Sequence, residues 1–306
     1  MPQLERWLAR AQTVREPSRS AEGWLARRFG LDPAPVAAVS LAVDEAPQPG
    51  QWLRADPVFA RVERDTLVLH HAACLAITPD EARELVASLR EHFASDGLEF
   101  RAPRPDRWYV RVPAGEVPAS TPLAEALGRD VFGRLPRGGG RINWAGAITE
   151  AQMLMSTHPV NIARESMRKP PVNALWFWGE GALPERVPEI YRRVFAQDAF
   201  AAGLAHLSRA ALAPPPAAPR DIGTGGAALV VLDAAANAIN AGDAEAWHRA
   251  AAAIDTAWLG AMGEMLGRHG EVRIILPSAQ DTCVASLDRG ARWRIFRRPR
   301  PLSAHA

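Results

Sequence analysis

The run VNALWFW, from Val172 to Trp178, constrains this chain most. A strand with one wet face alternates apolar and polar side chains, whereas an almost wholly apolar run closed by a glycine, here Gly179, suits a sheet covered on both faces. AALVVLD from Ala227 and EVRIILP from Glu271 read the same way. Helical patterns alternate with these strands. The pattern predicts an α/β fold with a central, mostly parallel sheet flanked by helices and with ligand sites at the carboxyl ends of its strands.

The sharpest helix signal lies upstream. Thr78 as cap, Pro79 at the first helical position and Glu81 three residues after the cap begin a helix whose Ala82, Leu85, Val86, Leu89 and Phe93 form one apolar stripe; Asp96 and Gly97 end it. TLVLHHA from Thr66 and RWYVRV from Arg107 read as strands. Leu4, Trp7, Leu8 and Ala11 repeat at helical spacing, a second helix surrounds Trp24 and Leu25, and Pro33, Pro35, Pro47 and Pro49 punctuate a loop-rich passage. Trp144, Ile148, Ala151 and Met155 mark a helix closing at His158 and Pro159. Asp243 is placed to cap a long alanine-rich helix running through Trp247, Ile254, Trp258 and Leu266 toward Gly270. Residues 1–60 therefore read as a helical and loop-rich N-terminal region. Residues 61–306 read as an α/β domain carrying a Pro/Gly-rich loop at 213–226.

Charge narrows the partners. With 36 basic and 34 acidic residues the formal net charge is +2, which gives no global drive toward nucleic acid or an anionic membrane. The first residues carry charges through what would be the apolar core of a signal peptide, and no apolar run is long enough to cross a bilayer. Cys74 and Cys283 suit a reducing compartment. A cytoplasmic protein without a membrane partner is the expectation.

Motif chemistry is sparse. DIGTGG, from Asp221, and PRGGGR, from Pro136, lack the strand-before, helix-after context of a dinucleotide fingerprint or P-loop; an anion nest helped by Arg137 and Arg141 is the functional alternative to a plain loop. His70, His71 and Cys74 lack zinc-like spacing. Arg292, Arg294, Arg297, Arg298 and Arg300 interleave with Trp293 and Phe296, which suits either phosphate contacts or a solvated edge. No Gly-x-Ser-x-Gly elbow is present.

One block is specific. QMLMSTHPVNIARESMRKPPVNALWFWGEG contains His158, Pro159, Asn161, Arg164, Pro171, Asn173, Trp178, Gly179 and Gly181 in the order His-Pro-x-Asn-x-x-Arg, Pro-x-Asn and Trp-Gly-x-Gly. This pattern resembles the archaeal-type cofactor-independent phosphoglycerate mutases, and also the RpfE-type bacterial regulatory proteins that share the block. The likeness extends more faintly from Asp96 to Pro301 and leaves residues 1–60 divergent. It implies a fold of the alkaline-phosphatase superfamily, two divalent metals such as Mn or Mg, and a Ser or Thr nucleophile for metal-assisted phosphoryl transfer.

The departures from that pattern matter as much. Where the mutases carry metal ligands after the AALVVLD strand, this chain has Ala236 and Asn240; after EVRIIL it has Ser278 and Ala279. Methyl, amide and hydroxyl groups do not hold paired hard dications. The resemblance thus implies a kept scaffold without its metals or other cofactor: a catalytically degenerate regulatory protein of the RpfE type. Its expected partner is a protein, or a small phosphorylated or carboxylated ligand gripped by His158, Asn161, Arg164 and Asn173. The competing reading of those four residues is structural, with Arg164 paired to an acid and the asparagines capping turns. Two further alternatives are a metal-dependent phosphomutase or phosphatase using Asp221, Asp233, Asp243 or Asp281, and a nucleic-acid-binding regulator using the arginine-rich C-terminus.

Overall fold

In the computed structural model, residues 1–46, 48–63, 66–278 and 280–302 are described. The elements begin with helix α1 (Pro2–Arg10), strand β1 (Gln12–Glu16), helices α2 (Ala21–Arg28) and α3 (Val36–Asp44), and strands β2 (Gln51–Glu63) and β3 (Thr66–His70). Helix α4 (Pro79–His92), strands β4 (Glu99–Arg104) and β5 (Arg107–Val112), and helices α5 (Leu123–Ala126), α6 (Trp144–Ser156) and α7 (Pro159–Ser166) follow. Next come β6 (Ala174–Ala182), β7 (Arg193–Phe195), α8 (Ala199–Ser208), β8 (Ala211–Ala213) and β9 (Ala228–Val230). The chain closes with α9 (Ala234–Asn240), α10 (Ala244–Ala253), α11 (Met262–His269), β10 (Glu271–Pro277) and β11 (Thr282–Asp288). Contacts divide it into two compact units, one formed by Pro33–Val187 with Asn240–Gly242 and the other by Met1–Asp32, Pro188–Ile239 and Asp243–Ala306. Residue 60, where the sequence reading set its boundary, lies inside β2.

The unit built on Pro33–Val187 holds a five-stranded sheet in the order β3-β2-β5-β4, with β6 also on β2. Every pairing in it is antiparallel. Strand β2 is shared: its first residues pair with β5 and β6, and Phe59–Glu63 pair with β3. One face of the sheet presents Leu53, Ala55, Val110, Leu175 and Phe177 to Leu85 and Leu89 of α4 and to Trp144 and Ile148 of α6. The other face presents Trp52 and Tyr109 to Ala37, Ala38 and Leu41 of α3. Burial on both sides is why VNALWFW reads as uniformly apolar.

Strand direction corrects the expectation of a mostly parallel central sheet. The three apolar runs enter three different sheets: β6 lies antiparallel to β2, β9 parallel to β7, and β10 antiparallel to β11. Two-sided burial demands cover on both faces, and cover does not encode direction.

The second unit contains a parallel sheet, β8-β7-β9, and an antiparallel one, β1-β11-β10. Leu4, Trp7 and Leu8 of α1 pack with Leu266 and Leu287. Met1 offers α1 no side-chain cap, so Asp255 supplies one from afar: its carboxylate accepts from the N–H of Gln3 and Leu4 at 3.1 and 3.0 Å. The alanine-rich helix expected from Asp243 to Gly270 is broken by a π-helical turn, Ile254–Leu259, into α10 and α11.

Candidate functional site

The block carrying the resemblance begins at a helix cap. His158 caps α7, accepting the Val160 N–H on Nδ1 at 3.2 Å, and its Nε2 lies 3.0 Å from Ser88 Oγ. With Nδ1 accepting, this network assigns the neutral ring's proton to Nε2, which donates to Ser88. Ser88 and His158 are therefore not arranged as a nucleophile and its base. Burial lowers the His158 pKa against the opposing pull of Glu84, which suits a neutral accepting ring.

Asn161 is buried, and its amide ties three backbone groups. Nδ2 donates to the carbonyls of Met155 and Val172, and Oδ1 accepts from the Val172 N–H, each at 2.8 Å. Arg164, 0% exposed, donates from Nε to the Pro170 carbonyl at 3.0 Å, from Nη1 to Glu81 Oε2 at 2.8 Å and from Nη2 to the Leu75 carbonyl. Glu81 serves twice. Its carboxylate also accepts the Thr78 N–H at 2.8 Å while Thr78 Oγ1 accepts the Glu81 N–H, completing the capping box of α4. Asn173 continues the β2–β6 pairing with its side chain, accepting from Ala60 N and donating to Ala60 O at 2.7 and 2.9 Å.

The four expected ligand residues thus fall within or beside one helix–turn–strand passage, and each is hydrogen-bonded to other groups of the chain. As placed, they clip α7, the turn at Pro170 and β6 to α4 and β2. The Trp-Gly-x-Gly part has a packing reason as well. Gly179 and Gly181 have φ of +70° and +153°, and a Cβ on them would lie 2.9 Å from Val36 Cβ and 2.6 Å from Pro35 Cβ. Glycine lets the start of α3 approach β6 that closely.

PRGGGR forms an anion cradle filled from within. Gly138, Gly139 and Gly140 all have positive φ, and the Glu116 carboxylate accepts from the N–H of Arg141 and Ile142 at 2.6 and 2.8 Å. Those backbone donors, the Ile142 N–H foremost, hold the Glu116 pKa below its ordinary value. DIGTGG is likewise engaged: Arg193 donates to the carbonyls of Ile222 and Gly223.

A polar network on the α3 face of the sheet went unread in the sequence. Arg54 donates to Asp56 Oδ1 at 3.0 Å and lies over the rings of Tyr109 and Trp178, 5.3 and 5.6 Å from their centroids. Trp178 Nε1 donates to Asp56 Oδ2 at 2.6 Å. Tyr109 and Arg107 donate to the Asp44 carboxylate at the end of α3, at 2.8 and 2.6 Å. Burial raises the Tyr109 pKa, keeping the phenol a donor. The signal was present: Arg54 and Asp56 stand at alternate positions on an otherwise apolar strand, WLRADPVF.

The positions expected to have lost their metal ligands lie elsewhere. Ala236 is exposed on α9, Asn240 ends that helix half-buried, and Ser278 tightens the β10–β11 turn, its Oγ donating to the Asp281 carbonyl at 2.8 Å. Ala279 lies outside the described residues. Among the described residues no group of three or more His, Cys, Asp or Glu side chains is placed to hold a metal ion. Asp281 pairs with Arg15 at 2.6 Å and Asp243 caps α10 through the Ala246 N–H at 2.8 Å. The methyl, amide and hydroxyl groups of Ala236, Asn240 and Ser278 do not fit the ligand needs of a pair of hard dications. No described helix is long and apolar enough to cross a membrane.

Comparison with known proteins finds a distant likeness to phosphoglycerate mutases. Over 163 residues, 51% of this chain and 41% of the relative, the sequence is 29% identical to the 2,3-bisphosphoglycerate-independent phosphoglycerate mutase of Methanosarcina acetivorans. The mutase of Methanosarcina barkeri is 28% identical over 175 residues, 55% of this chain and 44% of that protein. The matches thus span less than half the length of these curated relatives. A solved protein of Pyrococcus horikoshii shares the α/β fold, with a TM-score of 0.53 at 15% identity over 99% of this chain and 84% of that one. For the cofactor-independent phosphoglycerate mutase of Thermoplasma acidophilum the TM-score is 0.39 at 16% identity, over 94% and 82% of the two chains. No family model matches the chain.

Proposed function

We propose that this chain is a catalytically degenerate, phosphoglycerate-mutase-like protein of the RpfE regulatory type, acting by binding rather than by phosphoryl transfer. The observation that carries the reading is the engagement of Arg164. A residue suited to gripping a phosphate bidentately instead makes three internal contacts, to Pro170, Glu81 and Leu75, at 0% exposure. The most specific motif of the chain therefore supports the frame, and the sequence likeness to the mutases is explained without their chemistry. Ala236, Asn240 and Ser278 support the same reading, because none is the anionic or imidazole donor that paired cations need. In this reading the regulatory ligand is a protein partner or a small phosphorylated or carboxylated molecule, bound by surfaces other than the buried Asn161–Arg164 clip.

The test is catalytic. The purified chain is assayed for interconversion of 3-phosphoglycerate and 2-phosphoglycerate, and for hydrolysis of a generic phosphomonoester, with Mn²⁺ and Mg²⁺ added. Background rates in both assays are expected. Turnover abolished by a chelator would establish the metal-dependent alternative instead.

A further inference from the structure

The proposed function leaves the arginine-rich segment after β11 unused. It is held at two points: Ala291 is fully buried, and Leu302 packs against the α1–α11–β11 core while its N–H donates to Glu5 at 3.2 Å. Between these anchors Trp293 is 78% exposed, Ile295 60% and Phe296 93%. The Arg297 N–H reaches the Arg294 carbonyl at 3.4 Å, which makes Ile295 and Phe296 the central pair of a reverse turn. Arg294 pins the base of that turn, donating to Asp288 at 2.8 Å and to the Arg10 carbonyl at 3.0 Å. Arg292, Arg297, Arg298 and Arg300 are exposed around it. Among the described residues, Arg297, Arg298 and Arg300 make no ion pair.

We propose that this turn is a peripheral docking tip for an anionic lipid surface, with Ile295 and Phe296 entering the headgroup boundary and the arginines meeting lipid phosphates. Its chemistry matches that boundary: large apolar side chains at the apex, guanidinium groups set back on both sides and an amphipathic tryptophan beside them. Two observations favour lipid over single-stranded nucleic acid. The apolar pair sits at the apex of a pinned turn, whereas strand-binding sites are grooves that follow a backbone, and Ile295 at that apex has no ring on which a base could stack. The whole-chain charge of +2 gave no reason to expect membrane contact. Charge concentrated on one turn does, because each arginine near an anionic surface contributes independently of the distant acids.

The experiment is co-sedimentation of the full chain with vesicles of phosphatidylcholine alone and of phosphatidylcholine mixed with phosphatidylglycerol. Binding to the mixed vesicles at low ionic strength, falling as salt is added, is the expected result. Ile295→Ser combined with Phe296→Ser lowers the partition coefficient about tenfold, and Arg297→Gln with Arg298→Gln lowers it about fivefold per charge. All four side chains are exposed, so circular dichroism and Tm should match the wild type and separate lost binding from lost folding. Failure of the wild type to sediment with the mixed vesicles at low salt overturns the proposal, as does equal partitioning of wild type and variants. Binding of an oligouridylate that the Phe296→Ser change abolishes, without vesicle binding, overturns it in favour of nucleic acid. The catalytic assay above is independent of each of these outcomes.

Discussion

The stretch from His158 to Gly181 carries the resemblance and the segments after β9 and β10 carry the departures from it, and the two differ in burial. In the first, Asn161 and Arg164 are at 1% and 0% exposure, and each amide and guanidinium contact goes to another part of the chain. In the second, Ala236 is exposed and Ser278 serves a hairpin turn. A buried polar group whose partners are removed costs its full desolvation, so each such residue is coupled to the groups it ties together. A residue on an exposed helix face or turn can change with little effect on folding.

The largest expected effect breaks the buried side of this contrast. Arg164→Ala leaves Glu81 and two carbonyls without their donor, and urea unfolding should show a loss of about 3–5 kcal/mol. Asn161→Asp replaces the donor that faces the Met155 and Val172 carbonyls with an oxygen, and the same measurement should show about 3 kcal/mol lost. Gly181→Ala places a methyl 2.6 Å from Pro35 Cβ at a φ of +153°, for a loss of about 1–3 kcal/mol in thermal unfolding.

Acid titration gives a smaller effect with a definite sign. Burial alone would raise the Glu81 pKa, but the Thr78 N–H and Arg164 outweigh it, and the folded value lies below the ordinary 4.5. Glu116 is depressed as well, through the N–H groups of Ile142 and Arg141. For a carboxylate depressed in the folded state, the stabilisation is present above its unfolded pKa and is lost as pH falls through the folded one. Stability should therefore hold above about pH 4.5 and decline below it, and Arg164→Ala should flatten that decline in pH-dependent urea melts. On the other side of the contrast, half-buried Ser278 bonds only within its own hairpin turn, and Ser278→Ala should cost under about 1 kcal/mol. A Ser278→Ala loss as large as that of Arg164→Ala would erase the contrast.

Local signals were legible where one segment contained the whole interaction. Thr78, Pro79 and Glu81 announce α4, and the structure forms that capping box. VNALWFW announces a strand covered on both faces, and β6 is one. What escaped depends on contacts between segments. The antiparallel direction of β6 is set by its pairing with β2, far upstream. Helix α3, VAAVSLAVD, is buried at every residue from Val36 to Ala42 and so shows no 3.6-residue period there, and the prolines beside it read as loop. The anion nest of PRGGGR was visible as a possibility, but that its anion is Glu116 follows only from the folded chain. Arg54 and Asp56 are hard to read from sequence because a charged pair on a central strand contradicts the apolar pattern until Tyr109 and Trp178 close over it. His158, Asn161, Arg164 and Asn173 stand out in the block by residue type and spacing, and their partners within the chain follow only from the folded structure.

Elemental analysis of the chain, purified without chelator, tests most directly the proposal that this protein works without paired cations. The account predicts divalent metal well below one ion per chain, unchanged after dialysis against Mn²⁺ and removal of the excess. Two tightly held divalent ions per chain would contradict it.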